Sequence, residues 1–261
     1  MRNKNRLFIL VNWITTLSVL TVNALANILP INGIQTGQVS RDFETLFTPS
    51  GFTFSIWSTI YLGLIFFLFF SSSFFNSRNS SFISKLNHSV WISNVMNISW
   101  ILAWHYYWIS ASLIIMLGLL SSLVYINITL HNHRLRVKNH SSYFWFVRVP
   151  YSLYLGWIVV ATVANFSVFL TYIQWQGLGV LPEFWLAIVL VTGTLIATLL
   201  VFNYKLYASG LAVAWGVYGI STNLIAKNED LILIYLSYCL IGVILVSIIF
   251  KVRSPQLNMK F

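Results

Sequence analysis

The sequence predicts an all-α protein, a polytopic membrane helix bundle of eight spans with both termini in the cytoplasm. Three observations support this fold class. The composition is 58% hydrophobic, 17% aromatic and only 8% charged, which leaves too few polar side chains to cover a water-soluble domain. Eight mostly apolar runs, each near the ~20 residues that a spanning helix needs, are separated by short polar breaks. The basic residues alternate across these runs.

The eight runs lie at residues 7–28, 52–75, 89–107, 110–130, 143–172, 183–203, 206–226 and 231–250. The fifth run is longer than a bilayer requires, so we expect it to tilt or to project from the membrane. The first run ends near Ala24-Leu25-Ala26, so a signal peptide with a small-residue cleavage site is an alternative. We favour a retained helix, because the run is long for a signal peptide and the charge alternation needs it.

Charge placement predicts the orientation. With the N-terminus in the cytoplasm, only Arg41 and Lys227 of the 15 basic residues lie outside. This asymmetry is what the positive-inside rule expects of eight spans. The thirteen inside residues are Arg2, Lys4, Arg6, Arg78, Lys85, Arg134, Arg136, Lys138, Arg148, Lys205, Lys251, Arg253 and Lys260. The net charge of +10 is therefore interpreted as a topology signal and not as a nucleic-acid surface, and residues 131–140 are expected to face lipid headgroups.

The sequence predicts no catalytic residue and no metal site. Its five acidic residues fall in exterior loops or at their edges, which argues against a carrier with a carboxylate at mid-membrane. No lysine lies within a span, and no hydrolase or phosphate-loop motif occurs. Metal binding by His131 and His133 is a weak alternative. His105 is expected at the outer interface among aromatic neighbours, with haem ligation as its alternative role.

Aromatic and amide side chains form helical stripes in three runs. The stripes are Phe54, Trp57 and Tyr61 in the second run, Asn97, Trp100 and Trp104 in the third, and Tyr154, Trp157, Ala161 and Asn165 in the fifth. Turned inward, they would line a pocket for a large planar apolar ligand. Ordinary aromatic packing is the competing interpretation. Amides within spans must also find partners, usually in other helices, and these amides are Asn23, Asn27, Asn94, Asn97, Asn127, Asn165 and Asn223.

The longest exterior connection, residues 29–50, is long enough to suggest a function, because most connections span only a few residues. Pro49 and Gly51 stand where this connection enters the second run. Proline tolerates the first turn of a helix, and glycine permits unusual backbone angles. We therefore predict that Pro49 and Gly51 shape the loop into a lid over Trp57.

Three stretches resemble the TspO/MBR family, the tryptophan-rich sensory proteins and translocator proteins. "FTPSGFTFSIWSTIYLGL" (47–64) resembles the family's passage from a Pro-Pro turn into V-W-x-x-L-Y, with Trp57 and Tyr61 in step. "MNISW" (96–100) looks like the L-N-x-x-W of the third helix, and "WIVVATVAN" (157–165) is similar to the W-x-x-F-A-T-x-L-N of the fifth. The resemblance covers roughly residues 7–172, the family's five-helix body.

The resemblance implies a protein that binds porphyrins or other large apolar ligands beneath its first loop and senses, regulates or traffics tetrapyrroles. Protoporphyrin IX or a haem-like porphyrin would be the ligand, and no cofactor is required. The implied ligand-binding residues are Trp57, Tyr61, Asn97, Trp100, Tyr154, Trp157, Ala161 and Asn165. Porphyrin photodegradation has been proposed for relatives, but we assign no enzymatic activity.

The chain also departs from the family pattern. "ETLF" (44–47) replaces the K-P-x-W before the two prolines, and Thr48 replaces the first proline. Tyr172 is followed by "IQWQG", without the basic residue of the sterol-recognition pattern, so cholesterol binding is not expected.

Residues 176–261 add three helices to the five-helix domain at residues 1–175, and the sequence gives no function for them. Their Gly210, Gly216 and Gly219 would support close helix packing or a homodimer contact.

Two rival functions stay open. A transporter of a lipid-like or tetrapyrrole substrate would use the three extra helices to complete a path, and a structural or assembly subunit would use its aromatic residues only for packing. An N-in chain without an organellar presequence favours a multi-pass protein of a prokaryotic inner membrane. The expected partners are membrane lipids and a porphyrin or other apolar small molecule, with no nucleic acid.

Overall fold

The computed structural model describes residues 2–74, 80–134 and 140–253, and within these ranges the chain forms helices and no strands. In chain order the helices are α1 (Arg2–Ile28), α2 (Thr36–Asp42), α3 (Ile56–Phe74), α4 (Ser80–His105), α5 (Ile109–His133), α6 (His140–Tyr143), α7 (Val149–Tyr172), α8 (Pro182–Tyr204), α9 (Tyr207–Ala226) and α10 (Leu231–Arg253). A π-helical turn, Phe144–Arg148, joins α6 to α7, and a 3₁₀ turn, Gly51–Ser55, leads into α3.

The eight long helices fall on the eight predicted runs. The main difference is in α4, which begins at Ser80 and not at residue 89 as predicted. The first turns of this helix are polar, so the hydropathy of the sequence did not reveal them. Among the described residues, six helices are long and apolar enough to cross a membrane, namely α1, α3, α5, α7 with the turn before it, α8 and α10. The chain is therefore an all-helical, multi-pass integral membrane protein. The count of eight spans and the orientation stay predictions.

The helices pack in a continuous order. α1 lies on α4, α4 on α5, α5 on α7, and α7 on α9, which in turn contacts α8 and α10. The contact between α7 and α9 requires glycine, since a Cβ atom on Gly156 would lie 2.3 Å from the backbone oxygen of Ser209. Gly216 of α9 faces Val160 in the same way, at 2.7 Å. Of the three C-terminal helices, α9 thus packs closely on α7, with backbone against backbone at Gly156.

The glycines of these last helices serve packing within the chain, as one of the two predictions for them stated. A Cβ atom on Gly210 would lie 3.0 Å from Val201, and one on Gly219 would lie 2.0 Å from the hydroxyl of Thr53. The homodimer contact stays a prediction, as does the division of the chain near residue 175.

Each of the seven amides predicted to need partners donates at least one hydrogen bond, although the Oδ1 of Asn127 has no partner among the described residues. Asn94 donates from Nδ2 to the hydroxyls of Thr15 and Thr16 at 3.0 Å, which ties α4 to α1. Asn127 donates to the carbonyl of Tyr151 at 3.0 Å and so ties α5 to α7. Such bonds are favoured in a membrane-embedded bundle because an unpaired amide is costly there.

The two ends of the bundle differ in charge. The acidic end is the one that carries the five acidic side chains, Asp42, Glu44, Glu183, Glu229 and Asp230, together with Arg41 and Lys227. The basic end carries the described side chains His131, Arg134, Arg148, Lys205, Lys251 and Arg253. The predicted inside residues Arg2, Lys4, Arg6, Arg78, Lys85, Arg136, Lys138 and Lys260 lie outside the residues whose side chains are described.

Candidate ligand site

The three predicted stripes meet at the acidic half of the bundle. Residues from α3, α4 and α7 line one small void there, and Pro49 of the preceding turn joins them. Six of the predicted residues are included, namely Pro49, Trp57, Trp100, Trp157, Ala161 and Asn165. The void measures about 30 Å³, which gives room for about one or two water molecules. The predicted residues therefore come together, but around a space far smaller than a porphyrin.

Trp57 is the centre of an aromatic cluster beside this void. Its ring stacks on Tyr61 at 5.3 Å and meets the rings of Tyr154 and Trp157 edge-on at 5.8 and 6.1 Å. Phe54 adds a further edge-to-face contact with Trp157, at 5.9 Å. These separations are the favoured ones for aromatic pairs, so the cluster is a well-packed wall.

Asn97 and Tyr154 lie behind that wall and not on the void. Asn97 donates from Nδ2 to the hydroxyl of Tyr154 at 2.7 Å and accepts at Oδ1 from Asn23 at 2.8 Å. This chain of bonds links α1, α4 and α7. The two side chains thus hold together the helices that carry the rings.

Asn165 reaches the void, but its amide is already engaged. Its Oδ1 accepts from the indole of Trp100 at 3.0 Å, and its Nδ2 donates to the hydroxyl of Ser112 at 3.0 Å. The bond to Trp100 fixes the angle of an indole that also stacks on Trp104 at 5.6 Å. Asn165 is therefore placed to orient a ring.

A larger pocket of about 540 Å³ lies beside the void, between the end of α1, the segment around α2 and the start of α3. Its volume is in the range of small-molecule sites. Asn23, Gln35, Tyr61 and Gly51 contribute to its lining, and among the described residues Arg41 is the only charged side chain there. Sequence reasoning missed Gln35 and Arg41 because α2 is too short to show a hydrophobic period.

Trp57 and Phe54 separate the pocket from the void. Both rings, together with Thr36, line both spaces. A rotation of the Trp57 ring would therefore join the two into one cavity reaching from α1 to α7.

Two polar atoms near this partition have no hydrogen-bond partner among the described residues. They are the indole Nε1 of Trp157, a residue only 1% exposed, and the hydroxyl oxygen of Tyr61. Leaving a buried donor unpaired costs about 1–3 kcal/mol. Tyr61 lines the pocket and Trp157 lines the void.

His105 is the last residue of α4 and is fully buried there, and its position at the membrane interface stays a prediction. Its Nδ1 lies 2.7 Å from the carbonyl of Ile101, which can only accept, and its Nε2 lies 3.4 Å from the hydroxyl of Thr36. The ring holds the start of α2 over α4, and Trp104 adds a bond of 3.0 Å to the backbone of Thr36. With both nitrogens at protein oxygens, His105 is poorly suited to ligate haem.

Helix α9 holds the turn that contains Pro49 and Gly51, which sequence reasoning did not foresee. Trp215 donates to the carbonyl of Thr53 at 2.9 Å, and Asn223 donates to that of Thr48 at 2.9 Å. The backbone of Ser50 donates to α9 at 2.9 Å as well. Pro49 is buried under this arrangement, whereas Gly51 is exposed at the mouth of the pocket.

A second and larger space is an apolar groove of about 980 Å³ between α7 and α8. Phe166, Trp175 and Trp185 contribute rings to it. At its rim Lys227 and Glu44 form an ion pair of 2.8 Å. None of the predicted ligand-binding residues lines this groove.

Comparison with known proteins identifies a family. The family model described as TSPO-like protein matches residues 9–250, which is nearly the whole chain and includes the three C-terminal helices. The resemblance inferred from residues 7–172 is confirmed and extends further along the chain. Searches of curated proteins and of solved structures find no match.

Proposed function

The chain belongs to the family of TSPO-like proteins, and on that premise we propose that it binds a large, planar, apolar ligand in the 540 Å³ pocket. A porphyrin such as protoporphyrin IX is the candidate to test first. The protein would act in sensing or trafficking this ligand within a membrane, and we propose a prokaryotic inner membrane. The observation that carries the proposal is the convergence of Trp57, Trp100 and Trp157 on one space next to that pocket.

The aromatic wall suits a planar ligand. Trp57 and Tyr61 are nearly parallel, with 21° between their planes, so a flat ring system entering the pocket meets a flat surface. Rotation of Trp57 would let the ligand extend toward Trp157 and Ala161. The indole Nε1 of Trp157 and the hydroxyl of Tyr61 would then find partners on polar ligand atoms.

The charge of the pocket suits a ligand with carboxylates. Arg41 lies at the rim, where its guanidinium donates to Gln38 at 2.9 Å. A porphyrin carries carboxylates on one edge of an apolar plane. Its plane would lie along Trp57 while a carboxylate pairs with Arg41 in a bidentate arrangement.

A Soret-band titration of the detergent-purified protein with protoporphyrin IX tests the proposal. We expect saturable binding whose Kd rises about tenfold in Trp57→Ala, because stacking and burial are lost together. Ala24→Phe, which places a ring in the pocket without touching the tryptophans, should weaken binding comparably. Trp108→Ala is the matched control, since Trp108 is exposed at the turn between α4 and α5 and lies outside the pocket. A Kd in both pocket variants equal to that of the wild type would refute the proposal.

The groove between α7 and α8 favours a second candidate function, transport of a lipid-like substrate along the C-terminal helices. Trp175→Ala separates the two candidates, because Trp175 lines the groove and not the pocket. Uptake of a fluorescent lipid into proteoliposomes that depends on Trp175 and not on Trp57 would favour the transporter.

A further inference from the structure

Five cationic or ionisable side chains lie together at the basic end, around the C-terminal end of α8. The basic cluster consists of His131, Arg134, Arg148, Lys205 and Lys251. Arg148 and His131 both point at one atom, the carbonyl oxygen of Tyr204, at 2.8 and 2.9 Å. Because a carbonyl oxygen can only accept, both donate to it, and His131 must carry its proton on Nδ1.

The other members surround this pair. Arg134 donates to the carbonyl of His131 at 2.9 Å, which places its guanidinium next to the imidazole. Lys205 directly follows Tyr204 in a left-handed turn with φ of 55°. Lys251 of α10 lies over the ring of Phe202, 5.7 Å from its centre. Four elements of the chain thus deliver positive charge to one corner of the bundle.

No acidic side chain of the protein lies there to balance the charge. All five belong to the acidic end, and Glu183 and Lys205 mark opposite ends of the 23-residue helix α8, about 34 Å apart. Partial burial and the neighbouring Arg134, Lys251 and Arg148 lower the pKa of Lys205, which is the effect of like charges that lack a counter-ion.

Arg148 adds an observation that packing does not explain. Its side chain is only 7% exposed, yet its Nε has no hydrogen-bond partner among the described residues. A buried guanidinium with a free N–H is costly unless an acceptor completes it. Arginine's planar set of donors matches the oxygens of a phosphate, and lysine supplies a point charge beside it.

We propose that Arg148, Arg134 and Lys205, with His131 at their side, form a binding site for a phosphate group. The group would be the headgroup phosphate of an anionic lipid or free inorganic phosphate. The site is separate from the aromatic pocket, since the pocket lies toward the acidic end and shares none of these residues. Its occupant would fasten the ends of α5 and α8 and the start of α7 to one another.

Thermal unfolding of the full-length protein in a neutral detergent tests this site. The first arm adds dioleoyl phosphatidic acid in steps, with dioleoyl phosphatidylcholine as the lipid control, and the second arm adds sodium phosphate against sodium chloride of equal ionic strength. We expect a saturable rise in Tm with phosphatidic acid. A matching rise with sodium phosphate would assign the site to free phosphate, and a rise with phosphatidic acid alone would assign it to the lipid headgroup.

Variants connect the response to these residues. Arg148→Gln should raise the half-saturating concentration about tenfold or more, because it removes charge-assisted hydrogen bonds. Lys205→Gln, which leaves the buried arginine in place, should raise it severalfold and covers the case in which Arg148→Gln does not fold. Arg253→Gln is the matched control, an exposed cation at the same end beyond the cluster. The proposal is overturned if neither ligand raises Tm saturably. It is also overturned if Lys205→Gln has the half-saturating concentration of the wild type, as the control Arg253→Gln should.

Discussion

The acidic and basic ends of the bundle handle charge in opposite ways. At the acidic end two carboxylates have partners within the chain, since Glu44 pairs with Lys227 at 2.8 Å and Asp42 accepts from the hydroxyl of Tyr107. At the basic end Arg148 and His131 share the carbonyl oxygen of Tyr204, and Arg134 donates to that of His131. The difference teaches that both signs of charge occur at the first end, whereas among the described residues of the second end the cations gather without a carboxylate. The proposed phosphate would supply the missing negative charge there.

The largest effect is expected from a change in the packing of α7 against α9, because α9 contacts α8 and α10 and also holds the turn at residues 48–53. Such a change should affect both ends of the bundle. Gly156→Val would force α7 away from the backbone of Ser209, where a Cβ atom has only 2.3 Å. Overpacking of this kind costs about 1–3 kcal/mol, and more where backbone must move. We expect Tm in detergent to fall by several degrees or folded protein to be lost.

Gly193→Val on α8 is the matched control, since a Cβ atom at Gly193 meets nothing within 4 Å. If both variants unfold at the wild-type temperature, the contact between α7 and α9 does not require glycine at position 156.

A smaller effect tests whether Arg41, at the acidic end, pairs with a carboxylate of the ligand. Arg41→Gln should raise the Kd of protoporphyrin IX about threefold to fivefold, because an exposed ion pair contributes up to about 1 kcal/mol. The same variant should bind the dimethyl ester of protoporphyrin IX like the wild type, since the ester has no carboxylate. Both titrations follow the Soret band. An equal loss for acid and ester would mean that Arg41 shapes the pocket and does not pair with the ligand.

The smallest effect concerns the ion pair at the rim of the groove. Glu44→Gln should change the free energy of unfolding by less than about 1 kcal/mol, because the pair is partly exposed and screened by salt. Thermal unfolding at low and high ionic strength measures it, and the variant should differ from the wild type mainly at low ionic strength. A larger loss that does not depend on salt would show that Glu44 stabilises the protein through buried or packing contacts and not through an exposed ion pair.

The sequence predicted the helices and the meeting of the rings because both follow from local periodicity. Apolar runs of spanning length placed the eight long helices, and helical spacing placed Trp57, Trp100 and Trp157 on faces that do converge. The amides were predicted on the same ground, since an unpaired amide in a membrane is costly. The local pattern of the sequence is therefore sufficient to predict features that depend on which face of a single helix is buried.

Other features lay beyond local pattern. The bond from Trp215 to Thr53 joins residues 162 positions apart, and the one from Asn223 to Thr48 joins residues 175 apart, so no spacing rule points to them. The void is small because Trp57 and Phe54 adopt side-chain orientations that fill the predicted site, and orientation is not encoded in spacing. The burial of His105 and its two hydrogen bonds could not be predicted from its aromatic neighbours in the sequence.

The hold of α9 on the turn at residues 48–53 has a consequence for biosynthesis. The turn and α3 leave the ribosome long before α9, yet the N–H of Ser50 and the carbonyl of Thr53 find their partners, Gly219 and Trp215, only when α9 has been made. Contacts of such long separation form late, after the intervening helices have been inserted. The mouth of the pocket is therefore completed only after α9 has been made, and a nascent chain stopped before α9 would lack the partners that hold this turn.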